Sequence, residues 1–106
     1  MSRVKLISQK AEFEVCLKLE KLVVFFSASW CAQCHLMKPK FRDLAALPEF
    51  SATHFVLVDV DKSEEIADAA NIDALPAFLL FKKDAQVGEL CGADEVKLKQ
   101  LIRQST

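Results

Sequence analysis

Residues Lys21 to Ser27, KLVVFFS, constrain the fold more than any other part of the chain. The run is β-branched and aromatic and does not alternate apolar with polar, which is the pattern of a strand buried on both faces. A strand with no wet face needs a layer of structure on each side. Two similar runs follow, His54 to Val60 (HFVLVDV) and Ala77 to Lys82 (AFLLFK). The stretches between them carry helical spacing, so strands and helices alternate along the chain.

The order can be filled in. Val4 to Ile7 is a short first strand. Ser8 is placed to N-cap a helix through about Glu20, with Phe13, Cys16 and Leu17 on its apolar stripe. A second helix runs from Cys31 to about Leu47, with Leu36, Met37, Phe41 and Leu44 on one side and Pro39 expected to kink it. Ser63 caps a short helix whose inner face carries Ile66, Ala69 and Ala70. Pro76 interrupts the pattern before the strand Ala77 to Lys82. The Lys83-Asp84 corner is too short for a crossover, so Gln86 to Cys91 is expected antiparallel to that strand. Asp94 opens a last helix bearing Val96, Leu98, Leu101 and Ile102. This β-α-β-α-β-α-β-β-α order predicts an α/β fold, with a mixed and mostly parallel central sheet, an antiparallel final strand and helices on both faces.

A chain of 106 residues, 52% hydrophobic and 27% charged, fits one globular domain, taken as 1–106. Its 14 Lys plus Arg against 15 Asp plus Glu leave no concentrated basic surface, which argues against nucleic acid as a partner. The first residues lack the apolar core and cleavage site of a secretory signal, and the apolar run Leu22 to Trp30 is too short to span a bilayer as a helix. These features predict a soluble, cytoplasmic protein with no membrane role. In that compartment the four cysteines do not read as a structural disulfide framework. A Cys-x-x-Cys there is redox-active or metal-binding. Cys31, Cys34 and His35 offer ligands, but a structural zinc needs four, and His54 stands alone at a strand start. No metal is expected.

Cys31 falls where the buried strand gives way to a helix. Unpaired N–H groups and the helix dipole there favour thiolate, so Cys31 is the expected nucleophile. Cys34, one turn on and deeper, can attack a mixed disulfide held on Cys31 and release the second product as a thiol.

The element order, Trp30-Cys31-x-x-Cys34, Pro39, the VDVD of residues 58 to 61, Leu75-Pro76 before a strand and FKK…VGELCGA together resemble the thioredoxin family, most closely its cytosolic eukaryotic branch. The resemblance covers nearly the whole chain. It implies a protein-disulfide reductase with Cys31 attacking and Cys34 resolving. Pro76 becomes the cis-proline facing the disulfide. Trp30, Ile72, Leu75, Gly92 and Ala93 line an apolar groove for the substrate's extended chain. Asp61 matches a carboxylate near the tryptophan indole, and His35, where lysine is common, is a candidate proton carrier. The resemblance further implies a monomer with no bound cofactor, acting on disulfide-containing proteins. Electrons then come from a flavoprotein thioredoxin reductase using NADPH, or from the glutathione system.

The chain departs from the family pattern in places. Ala32-Gln33 replaces Gly-Pro, freeing an N–H near Cys31 and predicting a less reducing protein. Phe25 stands at the place of a buried aspartate beneath the resolving cysteine. Leu57 stands at the place of that acid's charged partner, so the core should gain stability while the resolving thiol loses a proton acceptor. Ala70 and Ala74 stand where vertebrate members often carry regulatory cysteines. Cys16 is expected in the core, and Cys91 as packing at the groove edge. These departures keep a second reading open, a thioredoxin-like protein-binding module with weak redox activity, as at the N-terminus of monothiol glutaredoxins. The intact cysteine pair favours the enzyme.

Overall fold

Every residue of the strand Leu22–Ser27 is buried, and the rest of the molecule is arranged around that fact. The computed structural model describes residues 2–105; Met1 and Thr106, the ends of the expected domain, lie outside the described residues. The strands are β1 (Val4–Ile7), β2 (Leu22–Ser27), β3 (His54–Asp59), β4 (Ala77–Lys82) and β5 (Ala85–Cys91), and the helices α1 (Lys10–Leu17), α2 (Ala32–Ala46), α3 (Glu64–Ala69) and α4 (Glu95–Gln104). The sheet runs β1-β3-β2-β4-β5. β1, β3 and β2 are parallel, β4 is antiparallel to β2, and β5 is antiparallel to β4. The fold class expected from the sequence is therefore present, with two antiparallel pairings where one was expected, so that β4 and not the final strand runs against the rest. A short helix and a short link before β4 are compatible with either direction, so the sequence carried no signal for the extra reversal.

β2 sends alternate residues to opposite faces. Val23 and Phe25 enter a core with Phe41, Leu44, Phe78, Leu98 and Ile102, beneath α2 and α4. Val24 and Phe26 enter a second core with Phe13, Val58, Ile66 and Leu79, beneath α1 and α3. Phe25 packs edge-on to Phe41 at 5.2 Å and tilted against Phe78 at 4.6 Å. Opposite it in register stands Leu57.

Several local expectations are corrected. The N-cap of α1 is Gln9, not Ser8: the Glu12 carboxylate reaches back to accept from the N–H of Ser8 at 3.3 Å and Gln9 at 3.1 Å. Those backbone bonds hold the Glu12 carboxyl below its ordinary pKa. α1 ends at Leu17 rather than Glu20, because the Leu17 and Leu19 carbonyls accept instead from Asp84 and Lys83 in the β4–β5 corner. Ser63 does sit at the N-cap of α3, yet its hydroxyl donates to the Ser8 carbonyl at 3.1 Å and leaves the helix uncapped by a side chain. Leu36 and Val96 are exposed, one residue off the buried stripes Cys34, Met37, Phe41, Leu44 and Leu98, Ile102. Ala69 is likewise exposed. α2 runs unbroken through Pro39, and the missing proline N–H leaves the His35 carbonyl without its helical donor.

Candidate redox site

The site gathers at one edge of the sheet, where β2 and β3 end and β4 begins. Register makes this explicit: Ser27 pairs with Asp59, Phe26 with Ala77, and Ala77 with Cys91. The segments that leave the sheet here carry Trp30 and Cys31, Asp61, Leu75 and Pro76, and Gly92 and Ala93. Brought together by strand ends, these residues come from four separate parts of the chain.

Cys31 is the N-cap of α2, with extended backbone, and its Sγ accepts the Cys34 N–H at 3.2 Å. A helix-end amide thus points at the Cys31 sulfur, an arrangement that favours charge there. Cys31 and Cys34 form a disulfide, their Cα atoms 5.2 Å apart. Cys31 is 8% exposed and Cys34 0%, so only the first sulfur reaches the surface.

The neighbours are held by specific contacts. Trp30 is 69% exposed, and its indole N–H donates to Asp61 Oδ2 at 2.9 Å. The Asp61 backbone is pinned in turn by its N–H donating to Asp59 Oδ1 at 2.9 Å. His35 Nε2 lies 2.8 Å from the Ser29 carbonyl. A carbonyl only accepts, so Nε2 carries a proton and the ring ties α2 to the turn before Trp30. His35 therefore faces the backbone of that turn. The Leu75–Pro76 bond is cis, Pro76 is buried, and its carbonyl accepts from Gly92 N–H at 2.9 Å. Gly92 adopts φ 113, a conformation side chains disfavour. Leu75 is half-buried against both cores, Ala93 is exposed, and Ile72 shares a hollow of about 240 Å³ with Ala74, Ala77 and Cys91.

Cys91 corrects the packing expectation: it is an exposed free thiol on the rim of that hollow. β5 is an edge strand with a mostly exposed burial pattern, so its terminal residue has no core to enter. Cys16 is buried and free, as expected, and burial pushes its thiol pKa up. No group of three or more His, Cys, Asp or Glu among the described residues is arranged to hold a metal. Ser27 escapes sequence reasoning: it closes the apolar run, is 2% exposed, and lines a hollow with Lys38 and Asp59. A lone hydroxyl ending an otherwise apolar strand was the available signal.

The family model for thioredoxin matches residues 4–104. This chain belongs to the thioredoxin family. Pig (Sus scrofa) thioredoxin is 39% identical over 104 residues, spanning 95% of this chain and 97% of that protein. Thioredoxin-1 of Schizosaccharomyces pombe is 38% identical over 101 residues, spanning 94% and 96%. The crystal structure of Malassezia sympodialis thioredoxin superposes with a TM-score of 0.94 at 31% identity, covering 100% of this chain and 94% of that one. Membership and the Cys31–Cys34 pair make the protein a thiol-disulfide oxidoreductase of the protein-disulfide reductase type. The binding-module alternative is not favoured. No helix among the described residues is long and apolar enough to cross a membrane.

Proposed function

We propose that Cys31 is the attacking cysteine and Cys34 the resolving one, and that substrates dock across Trp30, Ile72, Leu75, Pro76, Gly92 and Ala93. The observation that carries the assignment is the asymmetry of the pair: Cys31 keeps 8% exposure at a helix N-terminus with an amide donor on its sulfur, and Cys34 has none. The Cys31 thiolate attacks a substrate disulfide, forming a mixed disulfide and expelling one substrate thiolate. Cys34 then attacks Cys31 Sγ, closes the protein disulfide and releases the second substrate thiolate. Asp61 tunes the site by holding the Trp30 indole, and His35 by holding the Ser29 carbonyl.

Family membership supports the remaining assignments. The protein acts as a single domain over 1–106, as a monomer in the cytoplasm, with no bound cofactor. It is recharged by a flavoprotein thioredoxin reductase drawing on NADPH, or by the glutathione system.

The direct test is trapping. Cys34→Ser is expected to accumulate a stable mixed disulfide with a protein substrate, resolved by non-reducing electrophoresis, while Cys31→Ser accumulates none. Equal trapping by both variants, or by neither, overturns the assignment.

A further inference from the structure

Opening the Cys31–Cys34 disulfide removes the cross-link that pins the turn before α2 onto the first turn of that helix. The dithiol must then keep its two sulfurs together without it, because attack of one on the other needs close approach and alignment. Backbone N–H groups do part of this. Cys31 N–H donates to the Ala28 carbonyl at 3.2 Å, His35 N–H to the Cys31 carbonyl at 3.3 Å, and Cys34 N–H to Cys31 Sγ at 3.2 Å. None of these bonds reaches from α2 to Ser29 or Trp30. The residues between the cysteines add no stiffness, since neither Ala32 nor Gln33 is a proline that would fix φ at the helix start.

One side chain does reach that far. His35 Nε2 lies 2.8 Å from the Ser29 carbonyl, and among the described residues this is the side-chain hydrogen bond that joins α2 to residues 28–30. It spans six residues of the chain, two more than a bond of the helix's own ladder. Both cysteines therefore lie inside the loop that it closes. The bond involves neither sulfur, so it holds whether the disulfide is closed or open. Nε2 keeps its hydrogen in the neutral ring that this carbonyl selects and in the charged ring alike, so titration of His35 leaves the bond in place.

We propose that His35, through its bond to the Ser29 carbonyl, holds Cys31 against Cys34 in the dithiol, and so speeds resolution of the mixed disulfide and makes the protein more reducing. The inference rests on the roles assigned above to Cys31, Cys34 and His35. In the step concerned, Cys34 gives its proton to solvent and its sulfur bonds to Cys31 Sγ. The Cys31–substrate S–S bond breaks, and its electron pair leaves on the substrate sulfur, which takes a proton from solvent. The protein dithiol is oxidised and the substrate disulfide reduced. The imidazole neither gives nor takes a proton here and touches no reacting sulfur; it is a positioning residue.

The test separates the hydrogen bond from the charge. His35→Ala removes the bond, whereas His35→Gln supplies an amide N–H at similar reach and has no titratable proton. The position is exposed, and both replacements are better helix formers than histidine, so folding is not at risk. Parent and variants are equilibrated with reduced and oxidised glutathione, and the fraction of closed Cys31–Cys34 disulfide is read after an acid quench. His35→Ala is expected to close its disulfide about threefold less readily, the size of an exposed hydrogen bond, which is about 14 mV less reducing for two electrons. In a single turnover of a disulfide-bridged peptide it should release the second thiol about threefold more slowly, with the mixed disulfide formed at the parent rate. His35→Gln should stay within about 1.5-fold of the parent in both measurements, at mildly acidic and mildly alkaline pH alike. A glutamine variant as impaired as alanine, or a deficit confined to one side of neutrality, would make the ring a charge or a proton carrier and overturn the proposal. An alanine variant that matches the parent, or that slows both steps alike, would also overturn it. A Cys31→Ser variant that still forms the mixed disulfide would instead bring down the site assignment, and the proposal with it.

Discussion

The two ends of the sheet solve opposite problems. At the chemical end, backbone groups are satisfied by the local turns, as in the Gly92 N–H to Pro76 carbonyl bond, and the Trp30 side chain is left facing outward. At the other end a side chain does the tying. The Arg3 guanidinium donates to the carbonyls of Ala45, Phe50, Ser51 and Thr53, the last at 2.8 Å, and sits over the Phe55 ring at 6.0 Å. One cation thereby closes the end of α2, the 3-10 turn at Pro48–Phe50 and the entry to β3. Substitutions at the first end should change rates with little change in stability, and substitutions at the second should do the reverse.

The sharpest challenge to that division is Phe25, which lies between the two ends. Phe25→Asp removes a ring in contact with Phe41 and Phe78 and buries a carboxylate with no partner. Truncating a buried Phe typically costs about 3 to 5 kcal/mol, and the unpaired charge adds to it. The total approaches the whole stability of a domain this size, about 5 to 15 kcal/mol. In molecules that fold, desolvation should raise the carboxyl pKa and make it an acceptor for the Cys34 proton. The variant is therefore expected to melt far earlier in denaturant yet resolve mixed disulfides faster per folded molecule. An unchanged melt would break the picture of the aromatic core, and an unchanged resolution rate would show that proton removal is not limiting.

A smaller effect isolates the far end. Arg3→Met keeps an apolar stem over Phe55 and removes all four charge-assisted bonds. Hydrogen bonds to a charged group are worth about 1.5 to 3 kcal/mol each, so the loss of all four is expected to cost at least about 2 kcal/mol. Denaturant melts should show it while disulfide reduction per folded molecule stays at the parent rate. A loss of activity at full stability would mean that the two ends are coupled.

The smallest effect concerns the thiols outside the pair. Cys16→Ala with Cys91→Ser should leave the rate of disulfide reduction within a few-fold of the parent, measured with the fold intact by circular dichroism. In the native parent, iodoacetamide should modify Cys91 readily and Cys16 only on unfolding, because burial both hides the Cys16 sulfur and raises its pKa. That raised pKa has a sign: its contribution to stability is present below the ordinary thiol range and is lost as pH climbs through the folded value.

Most of this architecture was legible because its signals are periodic. Ala77–Lys82 has the bounds read from its apolar run, and Asp94 caps α4 with its carboxylate on the Lys97 N–H, as its residue type predicts. Misreadings arose where a distant segment competes for a local group. α1 stops early because the β4–β5 corner takes its last carbonyls, and the Ser63 hydroxyl turns from its helix to Ser8. Within the site, the cysteine pair and its helix start were visible from spacing alone. That Cys91 is bare and that Ser27 opens on a cavity depends on which strand lies at the sheet edge and on what faces β2, and neither is written in a window of neighbouring residues.

The exposed indole beside Cys31 has an optical consequence. The chain contains one tryptophan and no tyrosine. All indole fluorescence from this protein therefore originates at Trp30, one residue from Cys31 and hydrogen-bonded to Asp61. Opening of the disulfide, docking of a substrate over the indole and loss of the Asp61 contact each alter the surroundings of that single emitter. The molecule carries its own label, at the place where its chemistry occurs.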